Sequence, residues 1–249
     1  LKEISRAKEC LPLTELRIRL AEKPSLPIRD FYAALTRTDG VALIAEIKKA
    51  SPSVGDINAE VSIVSRAVLY ERHGASALSV LTDAHFKGNI GYLLEIKKVT
   101  GIPILRKDFI LDSYQVYESK YYGADAILLI ASILSTEGLR ELVTLTYELG
   151  LECLVEAHTR EDIEKILLTS ARIVGINARD LKTFEVDLEN IVKLAPYVPP
   201  DRYPVAESAI ETRSDVERVT RAGAKAILVG TALMKAVDIG AKMKELRLK

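Results

Sequence analysis

The chain alternates between two hydrophobic periods. Eight short, nearly continuous apolar runs occur: "ALIAEIK" (42–48), "ALSVLTD" (77–83), "IPILRKD" (102–108), "AILLIA" (126–131), "ECLVEA" (152–157), "RIVGIN" (172–177), "YPVAES" (203–208) and "AILVGT" (226–231). Each begins some 20 to 35 residues after the last. Runs of this length and apolarity are expected of strands buried on both faces of a parallel sheet. Between them the period lengthens to that of a helix. "VSIVSRAVLYERHG" places Val61, Val64, Ala67 and Val68 on one predicted face. "STEGLRELVTLTYELG" opens on Ser135, with Glu137 soon after, as a helix cap region does. "GASA" (74–77), "GADA" (123–126) and "GAKA" (223–226) each precede an apolar run, and a glycine there can take the left-handed conformation that ends a helix.

Parallel strands need crossovers of about a dozen residues or more, usually helices. Eight unbroken repeats therefore predict an α/β fold, a closed (β/α)8 TIM barrel. An open doubly wound sheet is the alternative, but it usually has fewer strands, and no G-x-G-x-x-G turn is present. Residues 1–39 precede the first strand and read as an N-terminal helical extension, with helices in "LPLTELRIRLAEKP" and "SLPIRDFYAALTR". They either cover the barrel bottom or lean over its mouth. The predicted division is 1–39 for the extension and 40–249 for the barrel.

Composition removes several function classes. Across 249 residues, 35 basic side chains balance 35 acidic ones, so nothing in the net charge calls for nucleic acid or an anionic membrane. No apolar run approaches the roughly 18 residues that span a bilayer, and the charged opening "LKEISRAKEC" lacks the apolar stretch of a secretory signal. Two cysteines, Cys10 and Cys153, suit a reducing cytoplasm, and Cys153 reads as a small core residue. His73, His85 and His158 are scattered without CxxC or HExxH, so no metal site is expected, although His158 stands two residues after Glu156. No G-x-S-x-G elbow marks a serine nucleophile.

The strand ends carry the candidate chemistry, because barrels of this kind place it at their C-terminal face. The first run ends in Glu46 and Lys48, the third in Arg106, Lys107 and Asp108, the fifth in Glu156, the sixth in Asn177 with Arg179 just beyond, and the seventh in Glu207 and Ser208. The period of two puts Glu46 and Lys48 on one face. A single rim ion pair is worth only about 0–1 kcal/mol and needs no function. Five polar strand ends are harder to place without pairing or a polar ligand, since a buried unpaired charge costs several kcal/mol. Of Arg106 and Lys107 only one can point inward, leaving the other to pack its stem and hold its charge in water. The turns in "AESAIETRSD" and "VGTALMKA" suggest a phosphate site, with Ser51, Ser208, Gly230 and Thr231 as donors.

Six stretches, "IAEIKKASPSVG", "LRKDFI", "LVEAHTREDIE", "GINARDLKTFEVD", "VAESAI" and "LVGTALMKA", resemble in order the motifs of indole-3-glycerol phosphate synthases, over about residues 40 to 236. The resemblance implies ring closure, decarboxylation and dehydration of 1-(2-carboxyphenylamino)-1-deoxyribulose 5-phosphate in tryptophan biosynthesis. It implies no cofactor or metal, a small-molecule substrate as the only partner, and a monomer or weak oligomer. By the same resemblance Lys107 is the general acid, which leaves Arg106 facing outward, and Glu156 is the general base. Lys48 contacts the substrate carboxylate and is a candidate to share the acid role. Glu46, Asn177 and Glu207 orient these groups, and Ser51, Gly230 and Thr231 grip phosphate. Arg179 and Ser208 line the pocket, while Phe109, Leu129 and Leu181 wall the aromatic ring.

Three features depart from the family pattern. Ala209 stands where "AESGI" is usual, which is harmless at negative φ and costs about 1 kcal/mol at positive φ. "LTDAHFKGN" is one residue short and keeps Phe86 alone over the ring. There is no tryptophan. Other readings stay open at this level: phosphoribosylanthranilate isomerase, which needs a cysteine at a strand end, a Schiff-base aldolase using Lys107, or a non-catalytic phosphate-metabolite binder.

Overall fold

The computed structural model describes residues 2–22, 26–48, 50–51, 55–56, 62–180, 183 and 185–248. All eight apolar runs are strands: β1 (Ala42–Ile47), β2 (Ala77–Leu81), β3 (Ile104–Lys107), β4 (Ala126–Ile130), β5 (Glu152–Ala157), β6 (Ile173–Asn177), β7 (Tyr203–Glu207) and β8 (Ala226–Val229). They pair in parallel in sequence order, and β1 closes the ring against β8 through Ala42↔Ala226 and Ala45↔Val229. The sheet is the predicted closed (β/α)8 barrel, and the open-sheet alternative falls with its closure. Residues 50–51 and 55–56 add a small antiparallel ribbon just beyond β1. No described helix is long and apolar enough to cross a membrane.

Alternation along each strand sorts side chains into two cores. Ala42, Ile44, Leu105, Leu128, Ile130, Leu154, Ile173, Val205 and Leu228 fill the barrel interior. Leu43, Ala45, Val80, Ile127, Leu129, Val155, Val174 and Val229 face the surrounding helices. The crossover helices include α4 (Ile63–Arg72), α5 (Gly91–Lys97), α6 (Ser113–Tyr121), α7 (Thr136–Glu148), α8 (Arg160–Leu167), α9 (Leu188–Leu194) and α10 (Arg213–Arg221). Ser135 caps α7 as its position suggests, accepting from the Gly138 N–H. Gly74, Gly123 and Gly223, which end α4, α6 and α10, all have positive φ. After β8 come α11 (Thr231–Lys235) and α12 (Ile239–Leu246).

The expected face of α4 is corrected. Its buried stripe is Ile63, Arg66, Ala67 and Tyr70, whereas Val64 and Val68 are half-buried and Val61 lies outside the described residues. Hydropathy favoured the valines. Arg66 and Tyr70 displaced them because their stems are apolar, and the Tyr70 hydroxyl reaches the Met234 sulfur at 3.6 Å.

The chain before β1 does both things left open for it. α3 (Phe31–Thr36) closes the barrel bottom, with Phe31 and Leu35 joining the interior core and the Tyr203 hydroxyl donating to the Leu35 carbonyl at 3.0 Å. α2 (Leu13–Glu22) packs on α6 through buried Leu16. The charged opening forms a further helix, α1 (Lys2–Cys10), which reaches the mouth side: Lys8 pairs with Asp112 at 2.7 Å, and the Tyr114 hydroxyl donates to the Ala7 carbonyl.

Asp125 ties the bottom together. It is fully buried and accepts from the Arg29 and Ile104 backbone N–H groups at 2.6 and 2.9 Å, and from the Lys97 ammonium. The Arg29 guanidinium donates to the Ile102, Lys97 and Thr100 carbonyls. Burial pulls the Lys97 ammonium below the ordinary lysine range, although Asp125 opposes the shift. Replacing Asp125 by Ala strands a buried ammonium and two backbone donors. The expected loss is about 3–5 kcal/mol of unfolding free energy, read from urea denaturation.

Candidate active site

Each strand of a closed barrel delivers every second side chain inward, so the last inward residue of a strand meets its counterparts at the mouth. That rule brings Glu46 and Lys48 of β1, Lys107 of β3, Glu156 of β5, Asn177 of β6 and Glu207 of β7 around one cavity of about 440 Å³. Arg179, Ser208, Ala209, Gly230, Thr231, Phe86 and Phe109 line the same cavity. Asp108, at the third strand end, lines it as well, and so do Asp83, Leu128, Ile130 and Lys235, which were not anticipated.

Two ammonium groups organise the polar floor. Lys107 Nζ donates to Glu156 Oε2 at 2.8 Å and to Glu207 Oε2 at 2.9 Å. Lys48 Nζ pairs with Glu46 Oε1 at 2.9 Å and donates to Thr231 Oγ1 at 3.1 Å. Glu46, Glu156 and Glu207 are all buried, so their ionisation depends on these partners. Burial alone would raise the Glu46 carboxyl, but Lys48 and Lys107 outweigh it and hold it below the usual range. Burial is likewise outweighed at Glu156 by Lys107, His158 and Asn177, and its carboxyl too is held low. Glu207 differs: burial, reinforced by the Glu156 charge, defeats Lys107 and pushes its carboxyl up to about 8. Burial would weaken the hold of Lys107 on its proton, but Glu156, Glu207 and Glu46 together raise it above an ordinary lysine.

Two glycines make room for these carboxylates. A Cβ on Gly230 would stand 2.2 Å from Glu46 Oε1, and one on Gly175 only 2.1 Å from Glu207 Oε1. Gly175 sits in the middle of β6 and opens the stretch "GINARDLKTFEVD", which does not itself say what approaches it.

Behind the floor, Arg106 faces outward, but its charge is not in water. It is 4% exposed and donates to Asp108 Oδ2 at 2.9 Å, Glu118 Oε2 at 2.8 Å and Ser119 Oγ at 3.1 Å. Asp108 Oδ1 in turn accepts from the Phe109 N–H, and the Gln115 amide donates to the Phe109 carbonyl. This network fixes the turn that follows Lys107.

The apolar wall needs correction. Leu129 is fully buried in the outer core, facing the helices, because the inward positions of β4 are Leu128 and Ile130. Counting by twos from the interior residue Ala126 gives those two instead. Leu181 lies outside the described residues, as do Lys49 and Val54. Ser51 is placed by its backbone in the ribbon beyond β1. Cys153 is buried in the outer core with its sulfur 3.6 Å from the Tyr147 hydroxyl. Burial raises its thiol well above the ordinary range, so no reactive cysteine stands at this strand end.

His158 Nε2 approaches Glu156 Oε1 at 3.3 Å. Glu3, Asp83 and His85 bring possible metal-ligand atoms within 4.8 Å of one another at the rim. There Asp83 Oδ1 already accepts from the His85 N–H at 2.7 Å as the cap of a short 3-10 turn, Ala84–Phe86.

Comparison with known proteins bears on this arrangement. The model of the indole-3-glycerol phosphate synthase family matches residues 1–246. An indole-3-glycerol phosphate synthase of Dehalococcoides mccartyi is 49% identical over 99% of this chain and 96% of its own length. One from Alkaliphilus metalliredigens is 43% identical over 98% and 94%. Two solved structures share the barrel at low identity. The N-acetylmannosamine-6-phosphate 2-epimerase of Clostridium perfringens has a TM-score of 0.60 at 18% identity, covering 77% of this chain and 86% of that one. The 3-hexulose-6-phosphate synthase of Salmonella typhimurium has a TM-score of 0.67 at 12%, covering 83% and 96%. These two likenesses speak to fold alone. The match along nearly the whole length, at identities approaching one half, shows that this chain belongs to the indole-3-glycerol phosphate synthase family, the decarboxylating lyases of tryptophan biosynthesis.

Proposed function

We propose that the family's reaction proceeds in this cavity with Lys107 as general acid and Glu156 as general base. The observation that carries the reading is the Lys107 ammonium, fixed between Glu156 and Glu207 at the centre of the mouth. The aryl carbon bearing the carboxylate attacks the ketone carbon of 1-(2-carboxyphenylamino)-1-deoxyribulose 5-phosphate, and Lys107 delivers a proton to the ketone oxygen. Carbon dioxide leaves, and its bonding electrons restore the aromatic ring. The new hydroxyl departs as water with a proton from an ammonium, and Glu156 takes a proton from the adjacent methylene. A positioned acid or base of this kind contributes about a hundred- to ten-thousandfold.

Lys48 is the partner for the substrate carboxylate, with Glu46 holding it in place. Asn177 and Arg179 bound the sugar side, and Phe86, Phe109, Leu128 and Ile130 face the aromatic ring. The phosphate falls to the turns at Ser208–Ala209 and Gly230–Thr231, together with Ser51. Every group comes from one chain, so a monomer or weak oligomer in the cytoplasm suffices. The isomerase reading loses its cysteine, since Cys153 faces the outer core.

Incubation with the substrate should yield indole fluorescence, and a wild-type protein without turnover would sink this assignment. Lys107→Ala should lower turnover by at least about a hundredfold while retaining phosphate-dependent binding. Near-normal rates in that variant would transfer the acid role to Lys48. A borohydride-trapped adduct on Lys107 would favour an aldolase instead.

The phosphate turn carries its own strain. Ser208 and Ala209 have φ of 66° and 57°, so the alanine occupies the left-handed region that its Cβ disfavours. Ala209→Gly should raise unfolding free energy by about 1 kcal/mol, measured by denaturant titration.

A further inference from the structure

Glu207 is the member of the acidic floor whose second oxygen has no partner. Its Oε2 accepts from Lys107 at 2.9 Å, but Oε1 is buried without a hydrogen bond. That oxygen lies over Gly175, where a single added carbon would stand 2.1 Å away and would touch Leu154 Cδ1 at 3.3 Å. No described group donates to this oxygen, which packs against the Gly175 backbone. A carboxylate divides its charge between both oxygens, and placing one of them in such a niche is costly, whereas a neutral carboxyl fits.

The charges around Glu207 point the same way. Glu46 and Lys48 of β1 satisfy each other, leaving Lys107 of β3 to serve both Glu156 of β5 and Glu207 of β7. His158 beyond β5 leans on Glu156, and Arg179 stands at the rim beyond β6. Glu156 Oε2 and Glu207 Oε2 both meet Lys107 Nζ, at 2.8 and 2.9 Å, so the two carboxyls crowd one cation, and the Glu156 charge adds to burial in raising Glu207. Two facing carboxylates that share one cation commonly keep one proton between them.

We propose that Glu207 is a neutral carboxylic acid in the resting enzyme, with Gly175 as the positioning residue that creates the niche for its unpartnered oxygen. The inference deepens the reading of this cavity as the catalytic site and rests on it. Its consequence falls on Lys107. An ammonium between two carboxylate anions holds its proton too firmly to be a useful acid at neutral pH. With Glu207 neutral, Lys107 faces only the Glu156 and Glu46 charges and donates more readily to the ketone oxygen. Glu207 still orients it, because the carbonyl Oε2 accepts the same hydrogen bond.

The test needs no substrate, so it can fail or succeed independently of the assigned reaction. Infrared difference spectra of the free enzyme should show a protonated-carboxyl carbonyl band at about pH 6 that disappears as pH rises through about 8. The band should be missing in Glu207→Gln. In Gly175→Ala the displaced oxygen should bring the midpoint down toward the ordinary carboxylate range. Stability supplies a second readout. The folded state binds one proton more than the unfolded chain between about pH 4.5 and 8, so stability falls as pH rises across that window. Glu207→Gln should lack this decline. A wild type with no such band at pH 6, a band that survives in Glu207→Gln, or an unmoved midpoint in Gly175→Ala would overturn the proposal. If a variant fails to fold, the wild-type band and its titration decide alone.

Discussion

Two lysine ammoniums inside a barrel mouth govern this structure. Each is worth burying only if carboxylates meet it at hydrogen-bond distance, because the loss of water costs several kcal/mol per ion. Lys107 meets Glu156 and Glu207, and Lys48 meets Glu46 and Thr231. Those contacts cross from β3 to β5 and β7, and from β1 to the start of α11. They are available only if the ring is closed and in register. The chemistry and the topology thus impose the same constraint on the sequence: correct strand order is what neutralises the charges.

The outward face has a matching polar system. Arg106, one residue before Lys107, threads its guanidinium between the sheet and α6, and Asp108, one residue after, caps the next turn. Arg106 stays outside the cavity and Asp108 lines it, and both fix the backbone from which Lys107 projects. Lys107 is thus held in place by its neighbours' contacts on the other side of the sheet. This explains why three consecutive charged residues end a strand whose other members are apolar.

Period and spacing carried most of the fold. All eight strands were legible because parallel strands are apolar on both faces, and the polar strand ends were legible because they broke those runs. What escaped did so for physical reasons. Leu129 was placed on the inner wall, yet adjacent leucines in "AILLIA" are equivalent in hydropathy and differ only in the parity of their position. The buried stripe of α4 was misread because Arg66 and Tyr70 hide apolar stems behind polar heads. α1 was missed because a mostly polar helix has little apolar stripe, and it is held by Lys8 and the Ala7 carbonyl instead. Gly175 opens a quoted stretch, but its role stayed hidden, since a glycine within a strand announces a close approach without saying what approaches.

The closure of the bottom by α3 has a consequence for traffic. Phe31 and Leu35 stop the lower end, and layers of Ile44, Leu105, Leu154 and Leu228 fill the shaft above them. The vessel is blind-ended. Substrate, carbon dioxide, water and the finished indole all share one doorway, framed by the strand-to-helix turns. Entry and exit therefore compete for a single passage, and product must clear it before the next molecule can come in.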